Sequence, residues 1–299
     1  MQVTHEDIQF VAQLVDQLCG VMLDDTKGYL IESRLGQIAR EHGCASYRDL
    51  CLRARTSSDH ALQQKIIDAI TTQETLFFRD GSPFDALQHK IIPEMIDAAA
   101  QNGGPRQLRF WSAACSTGQE PYSLAMMLRE TIPNFSSWKV SILATDVSNA
   151  AIAHASLGWY AAHEIERGMR ASLLPKYFTA KHGGWQVKDE IRGMVFFRRR
   201  NLLQPFTEVG MFDAILCRNV AIYFDAARRR DLFLRLADRL TPYGALFVGS
   251  SESLMDLGPR FAPRSYCRAT YYRPNRPARA TGPQVFAALG TGSQSNGRV

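Results

Sequence analysis

The 299-residue sequence has no C-x-x-C pair, no H-E-x-x-H pair, no G-x-G-x-x-G run and no Gly-Lys-Ser/Thr step. Its six cysteines (Cys19, Cys44, Cys51, Cys115, Cys217 and Cys267) stand apart, so neither a zinc site nor a disulfide framework follows from their spacing. The seven histidines are scattered, which leaves metal-assisted and triad hydrolysis without a constellation; no metal is expected. Also missing is any apolar run of about 20 residues, the length that spans a bilayer. The opening MQVTHEDIQFVAQL carries acids and no basic stretch before an apolar one, unlike a secretory leader. The last shortage is local. From Arg260 onward there are seven arginines and no acid, which leaves the rest of the chain at about −1 although the whole carries +6. A basic fringe of this kind is not an interleaved nucleic-acid groove, and no nucleic-acid partner is expected.

What is present falls into two textures. Residues 1–75 read as helices: Phe10, Leu14 and Leu18; Leu30, Leu35 and Ile38 over Tyr29 to Glu41; Tyr47, Leu50 and Leu52; Leu62, Ile66, Ile67 and Ile70. From Pro105 strands alternate with helices. QLRFWSAA, KVSILATD, GMFDAILCRNV and ALFVGS are strands; EPYSLAMMLRETI, VSNAAIAHASLGWY and AARRRDLFLRLADRL are helices. That order predicts an α/β unit over 76–273, with a mostly parallel sheet covered on both faces. Two stretches interrupt it. The short pieces WQVK and GMVFFRR within 176–200 predict a small antiparallel insertion. Residues 274–299, rich in Pro, Gly, Ser and Ala, predict a disordered tail.

Ligands of parallel sheets bind at the carboxyl ends of the strands, and four such ends here carry polar chemistry. Ala113 to Glu120 is a turn of small residues with one glycine, so the backbone can approach a ligand, but the three-glycine dinucleotide fingerprint is missing. Glu120 serves there either as a ligand or as an acid at a helix start. Asp146 closes the second strand, where an acid accepts ribose hydroxyls or caps the next helix. Asn201 and Leu202 follow the FFRR stretch and offer an amide and an apolar wall for a base, or simply a turn. Arg218, Asn219 and Val220 follow the strand FDAIL, with Tyr223 within reach of the same mouth; Cys217 reads as a small buried hydrophobe. The linker TTQETLFFRD (71–80) adds Gln73, Thr75 and Arg79, the last able to clamp a carboxylate or form an interdomain ion pair.

Together TTQETLFFRD, FWSAACSTGQEPYSLAM, ILATDVS, KYF with WQVK and NLL, ILCRNVAIYFD and the opening KGYLIESRL resemble the chemotaxis receptor glutamate O-methyltransferases of the CheR family. The resemblance runs from about residue 6 to about residue 273. It implies a Rossmann-like methyltransferase domain behind an all-helical receptor-recognition domain, with S-adenosylmethionine as cofactor and S-adenosylhomocysteine as product. Implied cofactor contacts are Gln73, Thr75, Arg79, Ala113, Glu120, Asp146, Asn201, Leu202, Arg218, Asn219 and Val220, with Tyr223 and Arg79 at the reacting carboxylate. Many relatives have Asn at the position of Gln73, and Glu at that of Gln119. The implied acceptors are glutamates on the cytoplasmic methylation helices of chemoreceptors, met by a positive surface that includes Lys27, Arg34, Arg40, Arg48, Arg53 and Arg55. TAKHGG looks short beside relatives that bind a receptor's C-terminal peptide tail, which implies a tail-independent type. A cytoplasmic monomer without membrane insertion is the corresponding expectation. A methyltransferase for another acceptor, or a degenerate cofactor-binding signalling protein, remains the alternative.

Overall fold

The computed structural model describes residues 2–56, 60–101 and 103–275; from residue 276 on, the expected tail lies outside the described residues. The first unit is four helices: α1 (His5–Cys19), α2 (Gly28–Glu41), α3 (Tyr47–Thr56) and α4 (His60–Ile70). Thr4 opens α1 with a reciprocal capping box to Asp7, and Gly20 closes it in the left-handed region at φ 74°. Val11, Leu14, Ile31, Leu35, Leu50, Ile66 and Ile70 form its core. The phase of α3 differs by one residue from expectation: Cys51 is buried and Leu52 is 45% exposed.

A helical stretch that the sequence did not announce follows: α5 (Ser82–Ala86), a π-turn over Leu87–Ile91 and α6 (Ile92–Gln101). Next come β1 (Gln107–Ala113), α7 (Gln119–Thr131), β2 (Lys139–Asp146), α8 (Asn149–Leu157), β3 (Trp159–Ala161), α9 (Ala162–Glu166), α10 (Leu174–Tyr177), β4 (Phe178–Lys181), β5 (Gly184–Val187) and α11 (Asp189–Arg192). The chain continues through β6 (Val195–Arg199), β7 (Phe212–Leu216), α12 (Ala226–Ala237), β8 (Leu240–Phe247), β9 (Phe261–Tyr266) and β10 (Ala269–Pro274). The large sheet runs β6-β2-β1-β7-β8-β10-β9, parallel from β6 to β8, with β10 antiparallel to both β8 and β9. Strand periodicity sends Leu108 and Phe110 to one face and Trp111 and Ala113 to the other, so both faces are covered.

Two assignments need correction. GMVFFRR is not part of the small insertion: β6 pairs parallel with β2, Ile142 opposite Val195, as an edge of the large sheet. The small sheet is β3-β5-β4, and its first strand comes from Trp159 to Ala161, which the sequence places at the end of a helix. Gly158, at φ 65°, ends α8 and makes that change of structure possible. Among the described residues no helix is long and apolar enough to cross a membrane.

Candidate active site

Strand β1 is where the chain reverses direction across the sheet, with β2 on one side and β7 on the other. A cleft opens there. Its floor comes from strand ends: Ala114 to Ser116 after β1, Asp146 and Val147 after β2, Arg200 to Leu202 after β6, and Arg218 to Val220 after β7. Its opposite wall is Cys19, Val21 to Leu23, Lys27 and Leu30 of the helical unit, and Thr71 to Thr75 with Arg79 lie across it. The helical unit therefore builds part of the cleft, a role its sequence gave no sign of.

The turn after β1 is shaped by backbone strain. Ala114 (φ 68°), Ser116 (φ 50°) and Gly118 (φ 97°) all lie in the left-handed region. At Gly118 a Cβ would come within 2.8 Å of both Ala155 Cβ and the Tyr160 hydroxyl, so glycine is required. The Ala114 and Cys115 N–H groups donate to Thr145 O at 2.8 and 2.9 Å, which ties the turn to β2.

Glu120, 8% exposed, accepts from Ser112 Oγ at 2.7 Å and from Arg218 Nη1 at 2.9 Å, so it is a network member and no cap. The Arg218 guanidinium also donates to Asp80 Oδ2 at 2.6 Å and to Arg79 O at 2.8 Å. One buried cation thus answers two acids and fixes the linker. Asp146 accepts the Ser116 and Ser148 N–H groups at 2.9 and 3.0 Å. The cap of α8 is Ser148 instead, through its bond from Ala151 N. Burial pushes the Asp146 carboxyl above its usual value, although the Ser148, Ser116 and Val147 N–H bonds pull it back.

Gln73 holds the floor to the linker, accepting from Ser116 Oγ at 2.9 Å and donating to Thr71 Oγ1 at 3.0 Å. Arg79 makes no ion pair among the described residues and donates once, to Glu74 O at 3.0 Å. Thr75, Leu202, Val220 and Tyr223 also line the cleft. Tyr223 O accepts from Met22 N at 2.9 Å, a bond between the helical unit and the sheet.

Two expected residues are placed differently. Ala113 does not line the cleft: as the last residue of β1 it is fully buried on the far face, and Ala114 takes its place. Asn201 lines the cleft, but its Oδ1 accepts from Leu203 N and its Nδ2 donates to Leu18 O, both at 2.9 Å. It is a turn residue and an interdomain tie. Sequence reasoning missed Ser112 and Asp80, which complete the Glu120–Arg218 network, and Glu252, which reaches Asn219 N at 2.7 Å. Ser112 and Asp80 lie inside the segments already singled out; Glu252 carries no local signal. Of the positive surface, Arg34 is bonded to Ile70 O, while Arg48 and Arg53 pair with Glu6 and Asp49.

The chemistry suits a ligand with hydroxyls, a cationic end and an apolar ring. Asp146 meets backbone donors and Glu120 meets Ser112 and Arg218, both beside apolar walls, and Asn219 Oδ1 is a buried acceptor with no partner among the described residues. Of the thiols that line the cleft, Cys115 is pushed well up by burial and Cys19 is pushed up to about 11, which argues against a thiolate nucleophile.

Comparison with known proteins agrees with this geometry. The all-alpha domain of CheR methyltransferases matches residues 6–71, and their SAM-binding domain matches residues 73–267. Chemotaxis protein methyltransferase 1 of Pseudomonas aeruginosa is 42% identical over 261 residues, covering 86% of this chain and 93% of that relative. Chemotaxis protein methyltransferase Cher2 of Pseudomonas putida is 40% identical, with 86% and 94% covered. Chemotaxis protein methyltransferase 1 of Vibrio cholerae is 35% identical over 267 residues, with 87% and 93% covered. The chain belongs to the CheR family of S-adenosylmethionine-dependent methyltransferases.

Proposed function

We propose that the chain methylates glutamate side chains on the cytoplasmic helices of chemoreceptors, giving methyl esters for sensory adaptation. The observation that carries this reading is the composite cleft: Arg79 and Tyr223 line it beside Met22 and Lys27 of the helical unit. An acceptor entering there meets the helical unit and the sheet at once, and an acceptor on a helix has the shape to follow that seam. Arg40 and the exposed Arg48 and Arg53 give an acidic partner local cations to meet, although Glu6 and Asp49 already answer Arg48 and Arg53 and the helical unit as a whole is net negative.

When bound, S-adenosylmethionine supplies an activated sulfonium methyl. Asp146, at the end of β2, is assigned the ribose hydroxyls. Glu120 and Asp80 together outweigh the one charge of Arg218, so that corner suits the amino end of the cofactor. Gln73, Thr75, Leu202, Asn219 and Val220 complete the pocket. The acceptor needs no general base, because a free glutamate titrates near about 4.3 and is ionised at neutral pH. The protein's work is alignment and exclusion of water. Tyr223 is assigned to orient the acceptor carboxylate by donating its hydroxyl. Arg79 holds the cofactor first and the carboxylate second, since a strong clamp on the anion would stabilise the ground state.

Independence from a receptor tail is part of the same reading. The β4–β5 hairpin turns in two residues, His182 and Gly183, at φ 49° and 74°, the tight form of such turns. This loop is shorter than that of relatives which bind a receptor tail, and the reading rests on that difference. Incubation with labelled methyl donor and receptor cytoplasmic fragments tests the proposal. Base-labile label on receptor glutamates is expected, and none at saturating cofactor would sink it. Equal affinity for tailed and tail-less receptors is expected, and a large preference for tailed ones would overturn that part.

A further inference from the structure

We propose that Glu252 is a positioning residue that sets the cofactor-facing loop after β7, acting through the backbone of Asn219. Glu252 lies outside the cleft, in the turn after β8. Its Oε2 accepts two backbone N–H groups at 2.7 Å each, one from Gly249 in its own turn and one from Asn219 on the neighbouring strand end. The Glu252 N–H returns to Gly249 O at 2.9 Å, which fixes the carboxylate in place. Asn219 sits at φ 57°, in the left-handed region that asparagine enters more readily than other non-glycine residues. The charge-assisted bond from its N–H to Glu252 holds it there.

Two further facts mark this latch as more than packing. Glu252 Oε1 and Asn219 Oδ1 are both buried without a hydrogen-bond partner among the described residues. Neither oxygen is spent on a contact within the chain, so the two turns are joined here through Glu252 Oε2 alone. The fit is also close: a Cβ at Gly249 would stand 2.6 Å from Asn219 Nδ2 and 2.7 Å from Glu252 Oε2. The held loop carries Arg218, Asn219, Val220 and Tyr223, so releasing Asn219 turns the cofactor-facing groups away.

The inference rests on the assignment of Asn219 and Val220 to the cofactor, and its test keeps the two apart. Binding of S-adenosylhomocysteine is measured by calorimetry on the full chain, with thermal midpoints taken without ligand. Glu252→Ala is expected to weaken binding about tenfold or more. Glu252→Gln, whose carbonyl still accepts both N–H groups, is expected to recover to within about threefold of wild type. Gly249→Ala, which presses on the latch and leaves the carboxylate in place, is expected to weaken binding as well, and it carries the test if Glu252→Ala does not fold. Unchanged affinity in Gly249→Ala and Glu252→Ala, with only a lowered midpoint, would overturn the proposal and leave Glu252 a structural residue. Asn219→Ala separates the two readings: if it binds as wild type does, the assignment of Asn219 fails. If Asn219→Ala is weakened and Glu252→Ala is not, only the latch fails.

Discussion

The floor and the rim of the cleft are built in different ways. On the floor Glu120, Asp146 and Arg218 are 8, 8 and 7% exposed, and each holds at least two hydrogen bonds. On the rim Arg79 donates one bond, to Glu74 O, and Tyr223 lines the cleft with no side-chain hydrogen bond to the described residues. The floor meets the same small molecule in every turnover, so its groups can be fixed before binding and lose little freedom on contact. On the proposed function the rim meets a macromolecule and must accept it, methylate one side chain and release it. Rigidity follows the constant ligand and looseness follows the exchanged one.

The largest effect expected is at Arg218. Arg218→Met leaves Glu120 and Asp80 without their cation, and breaking a buried pair from one side costs about 3–5 kcal/mol. Urea unfolding should show that loss, with cofactor binding abolished under the same conditions. A loss below about 1 kcal/mol would break the comparison, because the floor would then be no more rigid than the rim.

Tyr223→Phe probes the rim in the same terms. One hydrogen bond made only at the reacting carboxylate is worth about 1.4 kcal/mol, or about tenfold in kcat. Stability should stay within about 0.5 kcal/mol, and cofactor affinity should not change. Equal kcat in Tyr223→Phe and wild type, measured on receptor fragments, removes Tyr223 from the reaction.

Asp146 allows a sharper test, because binding and folding should respond to pH in opposite directions. Its carboxyl is raised above 3.8, chiefly by burial. For an acid raised in the folded state, the contribution to stability is fully present below the unfolded value and is lost as pH rises through the folded one. Ribose recognition needs the ionised form, so cofactor affinity should fall as pH is lowered toward that raised value, before an ordinary aspartate would titrate. Asp146→Asn should flatten the binding profile. A wild-type profile that stays flat down to the ordinary aspartate range would separate Asp146 from the ligand.

The same contrast explains what the sequence disclosed. The large sheet was legible because its inner strands are buried on both faces and read as continuous apolar runs ended by turns. The four opening helices were legible from one-sided periodicity. VFFRR was misassigned because a short strand beside a hairpin says nothing of its partner, and only the pairing with β2 decides it. The β9–β10 hairpin carries Pro263 and Pro274, which mask its alternation. Residues that follow a strand in sequence line the cleft, and Ala113 lies one position short of it. Asp80 and Glu252 act through partners 138 and 33 residues away, distances at which no local pattern survives, and Ser112, only 8 residues from Glu120, reads in sequence as one more small strand residue.

The smallest effect expected lies at the seam between the helical unit and the sheet, where Arg228 of α12 grips both oxygens of Asp16 in α1, with Nη2 to Oδ2 at 2.8 Å. Both side chains are about one-third exposed, at 34 and 33%. Solvent therefore screens the pair, and a double-mutant cycle with Asp16→Asn and Arg228→Gln should give a coupling of about 0.5–1 kcal/mol. Other ties cross the same seam: Asn201 to Leu18 O, Met22 N to Tyr223 O, and Arg199 to Gln64. With those intact, cofactor affinity in the double variant should change by less than about threefold. A larger loss would mean that the seam belongs to the rigid floor, and the line between the two regions would have to be drawn through the helical unit.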